Sequence, residues 1–196
     1  MPRRNIKFSQ GSYYHIYNRG ARRQSIFRCD ENYRYLLRLM KDIASESNLT
    51  IIAYCLLANH YHWLIRQDGD IAASALPKRV FGSYTQAFNN AYGLSGTLFE
   101  DRYEAILVAT DAYRRNLCRY IHANPVRHGI ALAPELWPYS NYPEWINTRQ
   151  GTLVDRAFVK THFPDHGSYQ RFVLEYIQNR AQLPKGLLEY LKNLEG

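Results

Sequence analysis

Two histidines separated by one residue, His60 and His62 in the run Asn59-His60-Tyr61-His62-Trp63-Leu64-Ile65, are the first side chains in this sequence whose types and spacing suggest chemistry. On a strand, side chains alternate between faces, so both imidazoles leave one face while Tyr61, Trp63 and Ile65 leave the other. Neutral imidazole lone pairs set side by side by a rigid element suit a single divalent cation. The same spacing also arises in strands that bind nothing, and the pair alone does not separate the two readings. A second pair, Tyr120 and Asn124, lies four residues apart. At about 100° per residue the two stand one above the other on one side of a helix. Leu117 and Ile121 fall on the neighbouring stripe that should meet a sheet, and Arg115 and Arg119 should project to the opposite side. Tyr120 is thereby placed at the margin of the buried face, where both a half-buried packing residue and a phenol presented to a site fit.

Charge is the third feature. The chain has a formal net charge of +8, and the excess is confined to its first two thirds: residues 1–130 hold 18 Lys/Arg against 10 Asp/Glu, and residues 131–196 hold 7 against 7. Arg3, Arg4, Lys7, Arg19, Arg22, Arg23 and Arg28 crowd the N-terminal segment, with Tyr13, Tyr14, Tyr17 and Phe27 interleaved. Guanidinium groups for phosphates beside aromatic faces for unpaired bases is a pattern suited to single-stranded nucleic acid. A solvated basic face beside a Tyr-rich strand is the plainer alternative.

These side chains need elements to hold them. Alternation over Tyr13 to Asn18 predicts a strand, followed at Arg19-Gly20 by a basic loop. Leu36, Leu37, Met40, Ile43 and Ala44 follow helical spacing, with Asp30 as the cap and Ser47-Asn48 as the stop. Leu49–Leu57 and His60–Gln67 read as two strands joined by a tight turn at Ala58-Asn59. A second helix carries Pro77 near its first turn, the stripe Val80, Tyr84, Ala87, Phe88 and Ala91, and Gly93 as its cap. Tyr103–Ala109 reads as a strand. Asp111 should cap a helix that runs to Asn124, where Pro125 stops it. The order strand, helix, strand, strand, helix, strand, helix implies an α+β fold, a ferredoxin-like palm with a mainly antiparallel sheet and helices packed on it. The expected division is a catalytic domain over residues 1–130 and an extension over residues 131–196 packed on the palm, with helices at Tyr169–Ile177 and Leu187–Leu194.

No apolar run approaches the roughly eighteen residues needed to cross a bilayer, which points to the cytoplasm and away from a membrane. Cys29, Cys55 and Cys118 have no close spacing, so neither a disulfide framework nor a CxxC metal site is indicated. No P-loop, internal repeat or low-complexity tract is present.

His60-Tyr61-His62 resembles the histidine-hydrophobic-histidine motif of the HUH nucleases. Arg119-Tyr120-Ile121-His122-Ala123-Asn124-Pro125-Val126-Arg127 resembles the tyrosine-helix signature of their single-tyrosine transposase branch, nearest to the REP-associated tyrosine transposases. Tyr14-His15-Ile16-Tyr17-Asn18-Arg19-Gly20, Gly96-Thr97-Leu98-Phe99-Glu100-Asp101-Arg102-Tyr103 and Trp137-Pro138-Tyr139-Ser140-Asn141-Tyr142 match as well, so the resemblance covers roughly residues 10–145. The resemblance implies that His60 and His62 bind Mg2+ or Mn2+, that Asn124 adds an amide to the metal, and that Tyr120 is the nucleophile. It implies a substrate of single-stranded DNA folded into hairpins, cut and rejoined through a 5′-phosphotyrosine, by a monomer or a homodimer. Arg3, Arg4, Arg19, Arg22, Arg23, Arg102, Arg119 and Arg127 are the candidate DNA contacts.

Other side chains carry their own alternatives. His15 can approach the histidine hairpin, although a hydrogen-bonded sheet histidine accounts for it more simply. His122 and His128 flank the tyrosine helix and can meet its C-terminal dipole or a phosphate. Glu100, Asp101 and Glu104 can offer a carboxylate, although a solvated turn is the simpler account. Tyr103 and Tyr113 are rival nucleophiles but lack an amide four residues on. Two competing functions remain: a nonenzymatic module that binds single-stranded nucleic acid on the sheet, and a zinc-dependent hydrolase with a third ligand elsewhere.

Overall fold

The computed structural model describes residues 6–179 and residue 183. Strand β1 (Tyr13–Arg19) has the alternation its sequence carries, with Tyr14 and Ile16 buried in one core and Tyr13 packed against a second core on the opposite face. Helix α1 (Asp30–Glu46) follows, then the hairpin of β2 (Leu49–Leu57) and β3 (His60–Gln67), helix α2 (Ala75–Tyr92) and β4 (Glu104–Leu107). The sheet order is β2-β3-β1-β4 with every neighbouring pair antiparallel, which is the ferredoxin-like arrangement. Leu57 pairs with His60, leaving Ala58-Asn59 as the two turn residues.

Helices α1 and α2 cover one face. Leu36 and Met40 meet Val80, Phe81 and Tyr84 there, and the Phe81 ring stacks on Tyr61 at 4.4 Å and on Trp63 at 5.1 Å. Burying one large apolar side chain is worth about 1.5–3 kcal/mol. A one-residue slip of β3 would exchange Tyr61, Trp63 and Ile65 for His60, His62 and Leu64 in this core, and several such contributions oppose it. Packing on this face therefore fixes which way the histidines point on the other.

Strand β2 carries a bulge between Ile51 and Ala53. Ile51 packs in the first core, while Ile52 and Ala53 both pack in the second. The Ile52 carbonyl accepts from Asn141 Nδ2 at 2.9 Å and from Trp145 Nε1 at 3.2 Å. Residues 131–179 use β2 as their anchor: Leu56 N–H donates to the Tyr139 carbonyl at 2.9 Å, and Trp137 Nε1 donates to the Leu56 carbonyl at 3.0 Å. An otherwise open sheet edge is covered in this way.

Helix α3 (Asp111–Arg127) lies on the second face with Leu117, Cys118 and Ile121 against Ala53, Cys55 and Leu64. Its N-cap is Thr110, whose side chain accepts from Tyr113 N–H at 3.2 Å, and Asp111 is the first helical residue instead of the cap. Cys29 in the same way precedes Asp30 at the start of α1. Pro125 does not end α3. It forfeits one backbone donor, but Leu117 to Pro125 are all buried and tertiary packing holds the last turn. The helix stops at a left-handed Gly129 (φ 67°), with Gly129 N–H to the Val126 carbonyl at 3.0 Å and Ile130 N–H to the Pro125 carbonyl at 2.8 Å, a Schellman motif.

Short helices α4 (Tyr142–Trp145) and α5 (Arg156–His162) lead to α6 (His166–Ile177), which packs along α3 through Tyr169, Val173 and Tyr176. The expected helix at Leu187–Leu194 lies outside the described residues, as do Arg3 and Arg4. Among the described residues no helix is long and apolar enough to cross a membrane.

Candidate functional site

Strand β3 places His60 and His62 on the face opposite Tyr61 and Trp63, and register sets their neighbours. His62 pairs with Tyr17 on β1, and Tyr17 pairs with Glu104 on β4, so the three stand in a row across the sheet. His15, two residues before Tyr17, lies on the same face; its Nε2 is 3.1 Å from His62 Nδ1.

The proton on His60 can be assigned from its partners. Asn59 Nδ2 donates to the Arg23 carbonyl at 3.3 Å, which leaves Asn59 Oδ1 as an acceptor 2.7 Å from His60 Nδ1. Nδ1 of His60 is therefore the N–H, and Nε2 carries the lone pair. Burial pushes the pKa of His60 down to about 3, with repulsion from His128 and Arg19 adding to it. Burial likewise holds His62 well below its ordinary value, reinforced by His15, His60 and His128, and lowers His15 to about 3. All three rings are uncharged at neutral pH, the form a metal requires. Two neutral imidazoles on one strand, one with its tautomer fixed by a neighbour, fit a divalent cation as a donor set. Among the described residues no group of three or more His, Cys, Asp or Glu side chains is arranged to hold a metal, so the pair would supply part of a coordination shell only.

Helix α3 brings its phenol to this pair. The Tyr120 ring meets the His62 ring edge-on with centroids 5.4 Å apart. Tyr120 is 2% exposed and packs in the second core. Asn124 is buried one turn further on, and its Nδ2 donates to the Tyr120 carbonyl at 3.0 Å.

A cavity of about 520 Å³ opens beside the histidines. His60, His62, His128 and Tyr17 line it, with Arg19, Arg23 and Arg102. Carboxylates share the wall: Glu100, Asp101 and Glu104 also line it, and Arg19 Nε bonds Glu100 Oε2 at 3.0 Å. The basic side of the rim is built with strain. Arg22 and Arg23 are consecutive left-handed residues (φ 54° and 59°), a conformation that disfavours a side chain by about 1–2 kcal/mol per residue. Gly20 makes the turn possible, since a Cβ there would overlap the Gln24 carbonyl oxygen and the Ile26 side chain.

Of the sequence candidates, His60, His62, Arg19, Arg23 and Arg102 meet at the cavity, and Tyr120 meets the His62 ring from the second core. Arg119 does not project outward. It is buried, with its guanidinium 4.4 Å from the Phe172 ring centre and 5.2 Å from that of Tyr176, because α6 covers the side of α3 expected to face solvent. Arg127 lies over Tyr176 at 4.7 Å. His122 is a buried structural group bonded to Tyr169 and Asn141. Sequence reasoning missed Asn59 and Tyr17 as site residues. The signals were present: Asn59 directly precedes the histidine motif, and Tyr17 shares a strand face with His15.

A family model described as an IS200-like transposase matches residues 8–124. The fold is shared with a solved REP-associated tyrosine transposase bound to a REP hairpin, at 20% identity and a TM-score of 0.61, covering 79% of this chain and 94% of that one. A provisionally assigned transposase from Deinococcus radiodurans R1 matches more loosely, at 18% identity and a TM-score of 0.42, over 62% of this chain and 95% of that one. No curated protein matches the chain in sequence. With the family model spanning well over half of its residues, the chain belongs to the IS200-like transposase family.

Proposed function

We propose that this chain cuts and rejoins hairpin-bearing single-stranded DNA, with Tyr120 as the nucleophile and His60 and His62 as ligands of a divalent cation. The observation that carries the reading is the contact between the Tyr120 ring and the His62 ring, phenol from a helix against imidazole from a sheet. In the proposed step, Tyr120 Oη loses its proton and attacks the scissile phosphorus. The P–O3′ bond breaks, and the departing 3′ oxygen gains a proton. The products are a 5′-phosphotyrosine and a free 3′-hydroxyl, and attack by a 3′-hydroxyl on the phosphotyrosine reverses the step. A phenol with an ordinary pKa of about 10 needs help at neutral pH. Mg2+ or Mn2+ bound by His60 and His62 would polarise a nonbridging phosphate oxygen and offset developing charge. Arg19, Arg23 and Arg102 would hold flanking phosphates at the cavity.

In this reading residues 1–130 carry the chemistry and residues 131–196 are an extension, in whose described part α6 packs along the tyrosine helix and steadies it. Tyr120 meets the histidine of its own chain, which supports catalysis within one subunit. Asn124 would reach the cation through Oδ1, its nitrogen being engaged with the helix backbone. The solved relative bound to a REP hairpin supports a folded single strand as the substrate.

One observation favours the rival reading, a module that binds nucleic acid without cutting it: Tyr120 is nearly inaccessible, and attack would require α3 or its side chain to move toward the cavity. Incubation with hairpin-bearing single-stranded DNA and Mn2+ separates the two. The catalytic reading expects a protein–DNA adduct that survives a denaturing gel, lost in Tyr120→Phe with binding retained. His60→Ala should lose cleavage together with the response to metal. An adduct that persists in Tyr120→Phe would remove Tyr120 from the role.

A further inference from the structure

His60 and His62 share a feature beyond their strand: each has Nδ1 in contact with a neighbouring side chain. For His60 the neighbour is Asn59 Oδ1, which can only accept, and the proton position follows. For His62 the neighbour is another imidazole, His15 Nε2, at 3.1 Å, and either ring can donate. A neutral imidazole has one N–H and one lone pair, so the contact has two settings. If His15 donates, His62 holds its proton on Nε2 and offers no lone pair there. If His62 donates, Nε2 becomes a lone-pair donor like Nε2 of His60. His62 lines the cavity while His15 is fully buried, so Nε2 is the His62 nitrogen left for the cavity.

We infer that His15 is a positioning residue that accepts the Nδ1 proton of His62 and so turns its Nε2 lone pair to the cavity. The role of that lone pair rests on the ligand reading above. The geometry behind it is rigid. His15 pairs with Leu64 and His62 with Tyr17, so the two imidazoles are diagonal neighbours on one sheet face. Their ring planes lie 22° apart with centroids separated by 5.2 Å, and the Tyr17 ring closes the group at 5.1 Å from His15 and 5.9 Å from His62. A buried acceptor held by two strands orients a ligand ring better than mobile solvent does, and loss of such an outer partner typically weakens metal binding by roughly 10- to 100-fold.

The test reads the protons directly. In 15N-labelled, metal-free protein, long-range proton–nitrogen correlation of the histidine rings should show His62 protonated at Nδ1 and bare at Nε2, with His15 bare at Nε2. A His62 ring protonated at Nε2 overturns the inference without any variant having to fold. Calorimetric titration with Mn2+ adds a second readout. His15→Gln retains an acceptor oxygen and should bind within about threefold of wild type, whereas folded His15→Phe should lose roughly 10- to 100-fold. Unchanged affinity in His15→Phe also overturns the inference. Wild-type protein that takes up no Mn2+ removes the ligand reading instead, and the ring spectra then still decide what His15 does.

Discussion

At His122 the consequence of burial can be followed proton by proton. Asn141 Nδ2 donates to the Ile52 carbonyl at 2.9 Å and the Leu153 carbonyl at 3.0 Å, so its Oδ1 accepts, from Tyr54 N–H at 2.8 Å and from His122 Nε2 at 2.8 Å. His122 Nδ1 is then left to accept from the Tyr169 hydroxyl. Rings of Tyr142, Trp145 and Tyr169 enclose the imidazole, and burial lowers its pKa to about 3, against a small upward pull from Asn141. The unfolded chain has this group at about 6.5. The folded value lies below the unfolded one, so on acidification the unfolded state takes the proton first. The stabilisation is complete above about pH 6.5 and is lost as pH falls toward about 3, at up to about 1.4 kcal/mol per pH unit. Denaturant melts at about pH 6.5 and about pH 5 should therefore show a larger loss for wild type than for His122→Gln, which has no proton to take up. Equal losses would mean that His122 is not held neutral.

The same network acts at the scale of the element, because it joins the β2 bulge, the middle of α3, residue 141 and α6. Helix α3 is fixed by that network in its middle and by Gly129 at its end. A Cβ on Gly129 would touch nothing within 4 Å, so Gly129→Ala isolates the left-handed backbone at φ 67° and should destabilise the protein by about 1–2 kcal/mol. Gly82, in the exposed interior of α2, also has open space around it but no positive φ, and Gly82→Ala should stabilise by about 0.5–1 kcal/mol. Two melts of opposite sign are expected, and a neutral Gly129→Ala would remove the Schellman turn from the account. Legibility follows the same divide between local and distant causes. The facing of His60 and His62 was readable because alternation along a strand is local and the packing of Tyr61 and Trp63 agrees with it. The burial of Arg119 was not readable, since nothing within α3 announces that Phe172 and Tyr176 will cover its outer side. Pro125 misled for the same reason: its local effect is unfavourable, and the packing that overrides it comes from residues far along the chain. The bulge at Ile52 has no local sign, and the His15–His62 contact, 47 residues apart in sequence, has only a partial one: strand alternation lets His15 approach the histidine hairpin but does not say which ring nitrogens meet.

For the molecule as a whole, the decisive asymmetry is where the arginines end up. The surplus of positive charge belongs to residues 1–130, but fold and ion pairing divide it further. Arg119 packs on the rings of α6, Arg19 is bonded to Glu100, Arg23 and Arg102 line the cavity, and Arg22 precedes Arg23 on the strained turn. If single-stranded DNA is the ligand, each phosphate neutralised contributes about −0.7 to the slope of log affinity against log salt. Arg23→Ala should lower affinity and flatten that slope by about one such contribution. Arg119→Gln, despite an identical change in formal charge, should leave the slope unaltered and lower the melting temperature instead. Parallel slopes for wild type and Arg23→Ala would show that the strained turn does not meet the backbone. A flattened slope in Arg119→Gln would show that net charge, rather than the placement imposed by the fold, governs how this chain holds a polyanion. The two variants carry the same charge, so only position can separate them.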